Sequence, residues 1–258
     1  MLTARVIPSL LLQDRALVKG VRFRSHRYLG DPINAVRLFN EMEVDELIIL
    51  DISVTAKKRK LDFELIQNIA SECFMPFTYG GGIRELDDMR QIFRIGVEKI
   101  AINTHAFEKP EFIRQAVQEF GSQSIVISID VKKNLWGQYE VFVRNGKKAT
   151  GRDPLDYAQE METLGAGEIL FNSIDRDGTW EGYDLKLLRK ITQAVNIPVI
   201  ASGGAGSVDH FVEAVKDGGA SSVAAGSMFV YQGKDQGVLI NFPKREELEK
   251  LNPLGSVK

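Results

Sequence analysis

Residues 77–89 of this 258-residue chain read FTYGGGIRELDDM, a short strand-like run followed by three glycines and a helix-like pattern. Residues 200–211 read IASGGAGSVDHF and present the same order of features. The second glycine pair lies 122 positions after the first, from 81 to 203, and Glu168 lies 122 positions after Glu46. A repeat of about half the chain length indicates two half-barrels and not a small solenoid repeat.

Eight strand-like runs alternate with helix-period segments along the chain. Asp31-Pro32 and Asp153-Pro154 mark helix starts, because aspartate caps a helix and proline suits its first turn. The predicted strands are 4–11, 46–52, 76–79, 97–103, 124–130, 168–173, 198–201 and 221–225. Eight such units predict an α/β fold, a single-domain (β/α)8 TIM barrel over residues 1–258. Residues 135–151 alternate in polarity around an Asn-Gly turn and predict a β-hairpin insertion after the fifth strand.

The composition excludes several classes of protein. A net charge of −2 and a pI near 6.0 offer no general attraction to nucleic acid or to an anionic membrane. The basic run 57–60 is therefore interpreted as a solvated loop. Cys73 is the only cysteine, so an internal disulfide and a cysteine-based metal site are excluded, and its apolar surroundings predict a buried thiol. The sequence has no signal-peptide pattern and no run of 18 apolar residues, which predicts a cytoplasmic protein.

Both glycine-rich turns are candidate phosphate sites. Glycines between a strand and a helix let backbone amides approach an anion, and adjacent loops of a barrel often bind phosphate together. Each turn has a companion one unit later: Asn103-Thr104 after the fourth strand, and Gly226-Ser227 after the eighth. Two copies at matching positions predict a ligand with a phosphate at each end. The alternative is that the glycines only form tight turns.

The predicted fifth strand ends in IVISID, which places Asp130 at the C-terminal rim, where catalytic residues of barrels lie. A partly buried carboxyl group there can act as a general acid or base, although a structural aspartate bonded to the next loop is an open alternative. The half-barrel repeat aligns Leu11 with Asp130. Leucine cannot transfer protons, so one member of an expected carboxylate pair is missing. Lys19 follows Leu11 in a segment predicted to be a polar loop.

Four charged residues stand near the beginnings of predicted strands: Arg5, Glu46, Lys99 and Glu168. Two cations and two anions at one face of a barrel must pair, because unpaired buried charge is costly. They predict either a salt-bridged plug that closes the barrel floor or a gate through which a small neutral molecule enters.

The remaining candidates carry weaker signals. His26, His105 and His210 lack metal-ligand spacing and are interpreted as surface or loop residues. No metal and no other cofactor is predicted. The aromatic stretch 74–79 is interpreted as core packing.

The chain resembles, over nearly its whole length, the cyclase subunit of imidazole glycerol phosphate synthase. The motifs that carry the resemblance are GDP at 30–32, DELIILDI at 45–52, YGGGIR at 79–84, FGSQSIV at 120–126, GAGEIL at 165–170, SIDRDGT at 173–179 and IPVIASGGAG at 197–206.

The resemblance implies a barrel that docks a glutaminase on its N-terminal face and passes ammonia along its interior to a two-phosphate substrate. It implies that Asp130 and Lys19 are active-site residues and that the charged residues near the strand beginnings form the ammonia gate. The implied phosphate-binding residues are Gly82, Asn103 and Thr104 at one site, and Asp177, Gly178, Gly204 and Gly226 at the other, where Ser227 follows.

Departures from the family pattern are concentrated near the active site. Leu11 stands where the family has a catalytic aspartate, and Asp14, three residues further on, is geometrically doubtful as a substitute. Gly226 and Asn172 replace a family serine and a family threonine. The C-terminal segment 230–248 also differs, with Gly233 and Gly237 opening a longer loop.

Three functions follow from this pattern. In the first, the chain is similar to divergent paralogues of surface-polysaccharide (lipopolysaccharide O-antigen) gene clusters, which pair with a glutaminase to supply ammonia to a sugar amidotransferase. In the second, it is a working cyclase, a lyase of histidine biosynthesis, with Asp130 as the main acid or base. In the third, it is a non-catalytic scaffold that activates the glutaminase allosterically.

Overall fold

The computed structural model describes residues 4–57, 59–234 and 237–251. Its central sheet consists of eight parallel strands and closes because the sixth barrel strand pairs with the fifth. In chain order the barrel strands are β1 (Arg5–Gln13), β4 (Leu47–Asp51), β5 (Phe77–Gly80), β6 (Lys99–Ile102), β7 (Ile125–Lys133), β10 (Glu168–Ser173), β11 (Val199–Ser202) and β12 (Ser222–Ala225). The predicted (β/α)8 barrel is confirmed.

The helices of the described residues are α1 (Pro32–Glu41), α2 (Ile52–Lys57), α3 (Phe63–Glu72), α4 (Leu86–Ile95), α5 (Thr104–Glu108), α6 (Glu111–Phe120), α7 (Pro154–Thr163), α8 (Leu185–Ala194), α9 (Val208–Lys216), α10 (Ser227–Val230) and α11 (Arg245–Leu248). Helices α1 to α9 lie between successive barrel strands in the chain, and α10 and α11 follow the last one. The predicted caps are present. The Asp31 side chain accepts a hydrogen bond from the Asn34 backbone N–H, and the Asp153 side chain accepts one from the Leu155 backbone N–H.

Successive side chains of a barrel strand point alternately outward and inward, so the apolar residues form two separate clusters. Outward-facing residues, such as Val6 and Ile49, join the helices in a large core. Inward-facing residues fill the barrel itself, and they are Ile7, Ile48, Ala101, Val126, Leu170, Ile200 and Ala224, with Leu50 packed against them. The inner cluster separates a floor at the strand beginnings from a mouth at the strand ends.

The segment after β1 differs from the predicted polar loop. It forms two further strands, β2 (Ala16–Val21) and β3 (Arg24–Gly30), which extend β1 as an antiparallel sheet above the mouth. Asp14 and Arg15 both have positive φ, at 53° and 66°, which is the geometry of a tight two-residue hairpin turn. We call β2 and β3 the arm. The arm forms because the apolar side chains of Leu17 and Val18 are buried against the barrel. Polar neighbours obscure this apolar pair in the sequence.

Beyond the mouth, β7 continues into β8 (Tyr139–Val143) by antiparallel pairing, and β8 pairs with β9 (Lys148–Ala149) in the same way. Asn145 has a φ of 57° in the connection between β8 and β9, and its side-chain amide donates to the Ile52 carbonyl oxygen at 2.6 Å. This segment therefore reaches back over the mouth to the end of β4.

Two predictions about burial need correction. Cys73 is only half-buried because it ends α3 in extended conformation, although burial still raises the pKa of its thiol to about 11. Phe77 and Tyr79 are core residues as predicted, but Phe74 is 85% exposed, since it lies in the loop that precedes β5. Over the described residues, no helix is long and apolar enough to cross a membrane.

Candidate active site

Two adjoining cavities open at the mouth of the barrel. The first lies over β4 to β7 and the second over β10 to β12 and β1. Their shared walls are Leu11, Phe23, Leu50 and Asn172. The cavities thus adjoin along residues that are largely apolar.

The first cavity contains the predicted site formed by Gly82, Asn103 and Thr104. Gly82 has a φ of 78°, and a Cβ atom there would lie 2.1 Å from Val54, so only glycine fits. Thr104 Oγ1 donates to Asn103 Oδ1 at 3.2 Å and accepts from the Arg144 backbone N–H at 3.0 Å. The structure brings all three residues together.

The second cavity contains the other predicted group: Asp177, Gly178, Gly204, Gly226 and Ser227. Lys19, carried by β2, also lines it. Its ammonium group donates to Asp177 Oδ1 at 2.6 Å, and both side chains are buried. The arm above the mouth therefore places a buried cation directly at this glycine-rich site.

Gly226 makes the position of Lys19 possible. A Cβ atom at Gly226 would lie 3.0 Å from Lys19 Cε and 3.0 Å from the Ser9 carbonyl oxygen. The side chain of Lys19 therefore occupies space that a serine would restrict.

Asp130 is buried at the end of the inner face of β7 and lines the first cavity. Ser128 Oγ donates to its Oδ1 and Asn103 Nδ2 to its Oδ2, both at 3.3 Å. Burial raises the pKa of Asp130 to about 7, the negative charge of Asp177 adds to the rise, and the Ser128 hydrogen bond opposes it. Near neutral pH such a carboxyl group can give or accept a proton.

Leu11 lies on β1, in register with Leu50 of β4, and faces the same cavity as Asp130. Phe23 lies beside it, at a φ of 59° in the turn between β2 and β3. The first strand therefore contributes only apolar surface to the mouth at this level.

Asp14 does not replace the missing carboxylate. Its side chain is exposed and is held at the tip of the hairpin by Lys57 and by Arg59, whose Nη1 donates to Asp14 Oδ1 at 2.7 Å. It lines neither cavity. The same pairing accounts for two cations of the basic run.

The four predicted gate residues form one ion-paired ring at the floor. Arg5 pairs with both Glu46 and Glu168. Lys99 Nζ lies 2.9 Å from Glu168 Oε2 and 3.2 Å from Glu46 Oε1. Burial tends to lower the pKa of Arg5, but the two carboxylates outweigh it and raise the pKa. Thr78 completes the network by donating to Glu46 at 3.0 Å.

Sequence reasoning missed several residues of the mouth. His105, interpreted as a surface or loop residue, is 9% exposed, lines the first cavity and packs edge-on against Phe112. Burial lowers its pKa, so the imidazole is neutral near pH 7. Arg84 lines the same cavity. The position of His105, one residue after Thr104, was the available signal.

The other two histidines also have defined surroundings. His26 is half-buried and lines the first cavity, and His210 Nδ1 accepts from the Gly206 backbone N–H at 3.1 Å. Across the described ranges, no group of three or more metal-ligating side chains is close enough to hold an ion.

Comparison with known proteins identifies the family. The family model described as "Histidine biosynthesis protein" matches residues 5–236. A protein of Pseudomonas aeruginosa named "Putative imidazole glycerol phosphate synthase subunit hisF2" is 50% identical over 249 residues, which cover 96% of this chain and 99% of that protein.

Two further relatives of similar length have similar names. A Leptospira borgpetersenii protein, "Putative imidazole glycerol phosphate synthase subunit HisF", is 48% identical over 98% of this chain and 100% of its own length. The "Imidazole glycerol phosphate synthase subunit HisF" of Alkaliphilus metalliredigens is 46% identical over 90% of this chain and 92% of its own. The chain therefore belongs to the histidine biosynthesis protein family, as a homologue of the HisF cyclase subunit of imidazole glycerol phosphate synthase.

Proposed function

We propose that this chain is a cyclase-like subunit of a glutamine amidotransferase system. Ammonia from a glutaminase enters at the floor, crosses the barrel and leaves at the mouth for a nitrogen acceptor. One observation carries the proposal: the charged ring at the floor is complete, whereas at the mouth the first strand presents the apolar Leu11 to the cavity that contains Asp130.

The floor supports a role in ammonia entry. Its ring consists of two cations and two buried carboxylates at the strand beginnings, and their charges cancel. A small neutral molecule that passes this ring brings no charge into the apolar interior, where an unpaired charge would be costly. Exposed Phe74 lies on the same face, and large exposed aromatic side chains are typical of protein interfaces. We infer that the glutaminase docks there.

The mouth supports the loss or weakening of the cyclase reaction. Losing one acid or base typically lowers a rate by about 10²–10⁴-fold. A substrate with a phosphate at each end must span both cavities, and Leu11 adds apolar surface at the place where the cavities adjoin.

We further propose that the acceptor is an N-acetyl sugar, whose acetyl group becomes an acetamidino group on a separate cytoplasmic amidotransferase of lipopolysaccharide biosynthesis. The support is the resemblance to paralogues that lack the first-strand aspartate. The glycine-rich loops and Lys19 are consistent with a phosphorylated small molecule as a retained ligand.

A second candidate is an active cyclase of histidine biosynthesis. It is favoured by the buried pair of Lys19 and Asp177 and by Asp130, whose pKa of about 7 suits proton transfer. This candidate predicts that the chain, expressed with a glutaminase, restores growth of a histidine auxotroph that lacks its cyclase subunit. Failure to restore growth despite soluble expression would eliminate it.

The proposal is tested with amide-15N glutamine. Proteins that copurify with the chain are identified, and the fraction of 15N that reaches the acceptor product, relative to free ammonium, is measured. Transfer to an acceptor supports the proposal, and release of free ammonium only contradicts it.

A blocked interior separates delivery from allosteric scaffolding. Ala224→Phe fills the inner face of the barrel, and Ala56→Phe, on the exposed part of α2, is the matched control. Ammonia delivery predicts that only Ala224→Phe reduces transfer to the acceptor while glutamine hydrolysis continues. Under the scaffold alternative, both variants behave alike.

A further inference from the structure

Two buried polar atoms on the inner face of the barrel have no hydrogen-bond partner among the described residues. They are Ser222 Oγ, in a fully buried residue, and Asn172 Oδ1, in a residue that is 8% exposed. Buried polar atoms are almost always paired, so an unpaired one requires an explanation, for which a bound small molecule is a common cause.

The strand registers place these atoms at opposite ends of the interior. Ser222 pairs in register with Arg5, so it lies at the level of the charged ring. Asn172 lies at the end of β10, whose inner face runs from Glu168 in the ring through Leu170 to Asn172 at the mouth. The two atoms therefore mark the beginning and the end of the interior.

The segment between them consists of apolar side chains of the inner cluster, including Leu170 and Ala224. An ion loses its hydration in such surroundings at a high cost, so an uncharged ligand is favoured. At the mouth the carbonyl group of Asn172 can only accept hydrogen bonds, so the ligand must be a hydrogen-bond donor. The Ser222 hydroxyl group can donate as well as accept.

Ammonia meets these requirements, because it is small and neutral and carries three N–H donors and one lone pair. We propose that Ser222 and Asn172 are hydrogen-bonding stops for ammonia at the entrance and the exit of the barrel interior. This inference rests on the proposed function, in which ammonia crosses the barrel. Asn172 also lines both cavities, so ammonia held there is available to a ligand in either one.

The test measures how efficiently nitrogen is transferred. Asn172→Leu removes the carbonyl group at similar volume, and Ser222→Ala removes only the hydroxyl group. With the glutaminase, the acceptor enzyme and amide-15N glutamine, the 15N in the product is divided by the glutamine hydrolysed. Each variant is expected to lower this ratio about 2- to 10-fold, the range of one ordinary hydrogen bond.

Two controls accompany the variants. Ser71→Ala removes an exposed hydroxyl group of α3 and is expected to leave the ratio unchanged. Ammonium chloride supplied directly to the acceptor enzyme shows that the acceptor step itself is intact. If the unaltered chain transfers nitrogen and both interior variants match Ser71→Ala, this inference is wrong and the proposed function stands. If the unaltered chain transfers none, the proposed function fails, and this inference fails with it.

A second measurement needs no variant. Crystals of the chain are soaked in hydroxylamine, an uncharged analogue of ammonia with one extra oxygen. Elongated density within hydrogen-bond distance of Asn172 Oδ1 or Ser222 Oγ supports the inference. Soaked crystals in which both atoms contact only water contradict it.

Discussion

Glu46 and Glu168 at the floor of the barrel and Asp130 at its mouth are all buried carboxyl groups, but their partners differ. At the floor, Glu46 and Glu168 are buried but share two cations, and neither carboxylate is left unpaired. At the mouth, Asp130 is equally buried but has only a serine and an amide as partners. The floor is a closed network of ion pairs, whereas Asp130 at the mouth has no cation among its hydrogen-bond partners in the described part of the chain.

Under the proposed function, the two ends also differ in how far they depart from the family pattern that the sequence resembles. A ring in which each carboxylate pairs with both cations tolerates few substitutions, because removing one member leaves two charges of the opposite sign sharing a single partner. The resemblance to the family implies an aspartate where the mouth has Leu11 and a serine where it has Gly226, and we expect both differences to alter how the site handles protons or anions. Under the proposed function, ammonia entry persists in a chain whose cyclase chemistry has weakened.

The largest expected effect is the pH dependence that Asp130 confers on stability. Below about pH 4 its carboxyl group is neutral in both the folded and the unfolded chain. Between about pH 4 and 7 the unfolded chain releases this proton while the folded chain keeps it, so the free energy of unfolding falls as the pH rises. The total loss is on the order of 4 kcal/mol, by the usual conversion of a pKa shift into energy.

Asp130→Asn isolates this contribution. Urea unfolding of both proteins at a series of pH values is expected to show the variant gaining stability relative to the unaltered chain up to about pH 7. Parallel curves for the two proteins would show that Asp130 has an ordinary pKa. The carboxylate at the mouth would then be as well stabilised as those at the floor.

The floor is tested by Arg5→Ala. This change leaves Glu46 and Glu168 buried with Lys99 as their only cation, and a loss of about 3 kcal/mol in unfolding free energy is expected. The matched control is Arg114→Ala, which breaks an exposed pair with Glu111 and should cost less than about 1 kcal/mol. Equal losses in the two variants would contradict the closed network.

Leu11→Asp tests whether one carboxylate separates this mouth from that of a full cyclase. Because a second acid or base is worth about 10²–10⁴-fold, the ammonium-dependent cyclase rate is expected to rise by about 10²-fold. Leu11→Asn provides a polar control of similar size that cannot take up a proton at neutral pH. If the two variants have the same rate, the missing acid does not limit the reaction.

The smallest effect is expected for Gly226→Ser, which restores the serine of the family. Its Cβ atom would crowd Lys19 Cε, so the ion pair of Lys19 with Asp177 should loosen at a cost of about 1 kcal/mol in unfolding free energy. Lys19→Met, measured in parallel, shows how much of the cost belongs to the ion pair. If the serine costs nothing in a Lys19→Met background, the crowding explanation is supported, and an undiminished cost there contradicts it.

Some features of the site were visible in sequence because they are local. The glycine turns, the companion Asn103-Thr104 and the place of Asp130 at the mouth all follow from short motifs at or after predicted strands, although β7 continues past Asp130 to Lys133. The burial of His105 was missed because it depends on Phe112, a residue of the next helix. The arm after β1 was missed because its pairing needs the barrel as a surface against which Leu17 is buried.

The sequence by itself determined the order of eight β-α units, their two-fold repeat and the absence of an acid at position 11. Periodicity and residue chemistry are properties of neighbours along the chain and can be read without coordinates. Only the tertiary structure decided that Asp14 faces away from the mouth, that Phe23 and Leu11 lie where two cavities adjoin, and that Lys19 pairs with Asp177. Those features depend on closure of the barrel, which brings distant strand ends together in a way that no local pattern encodes.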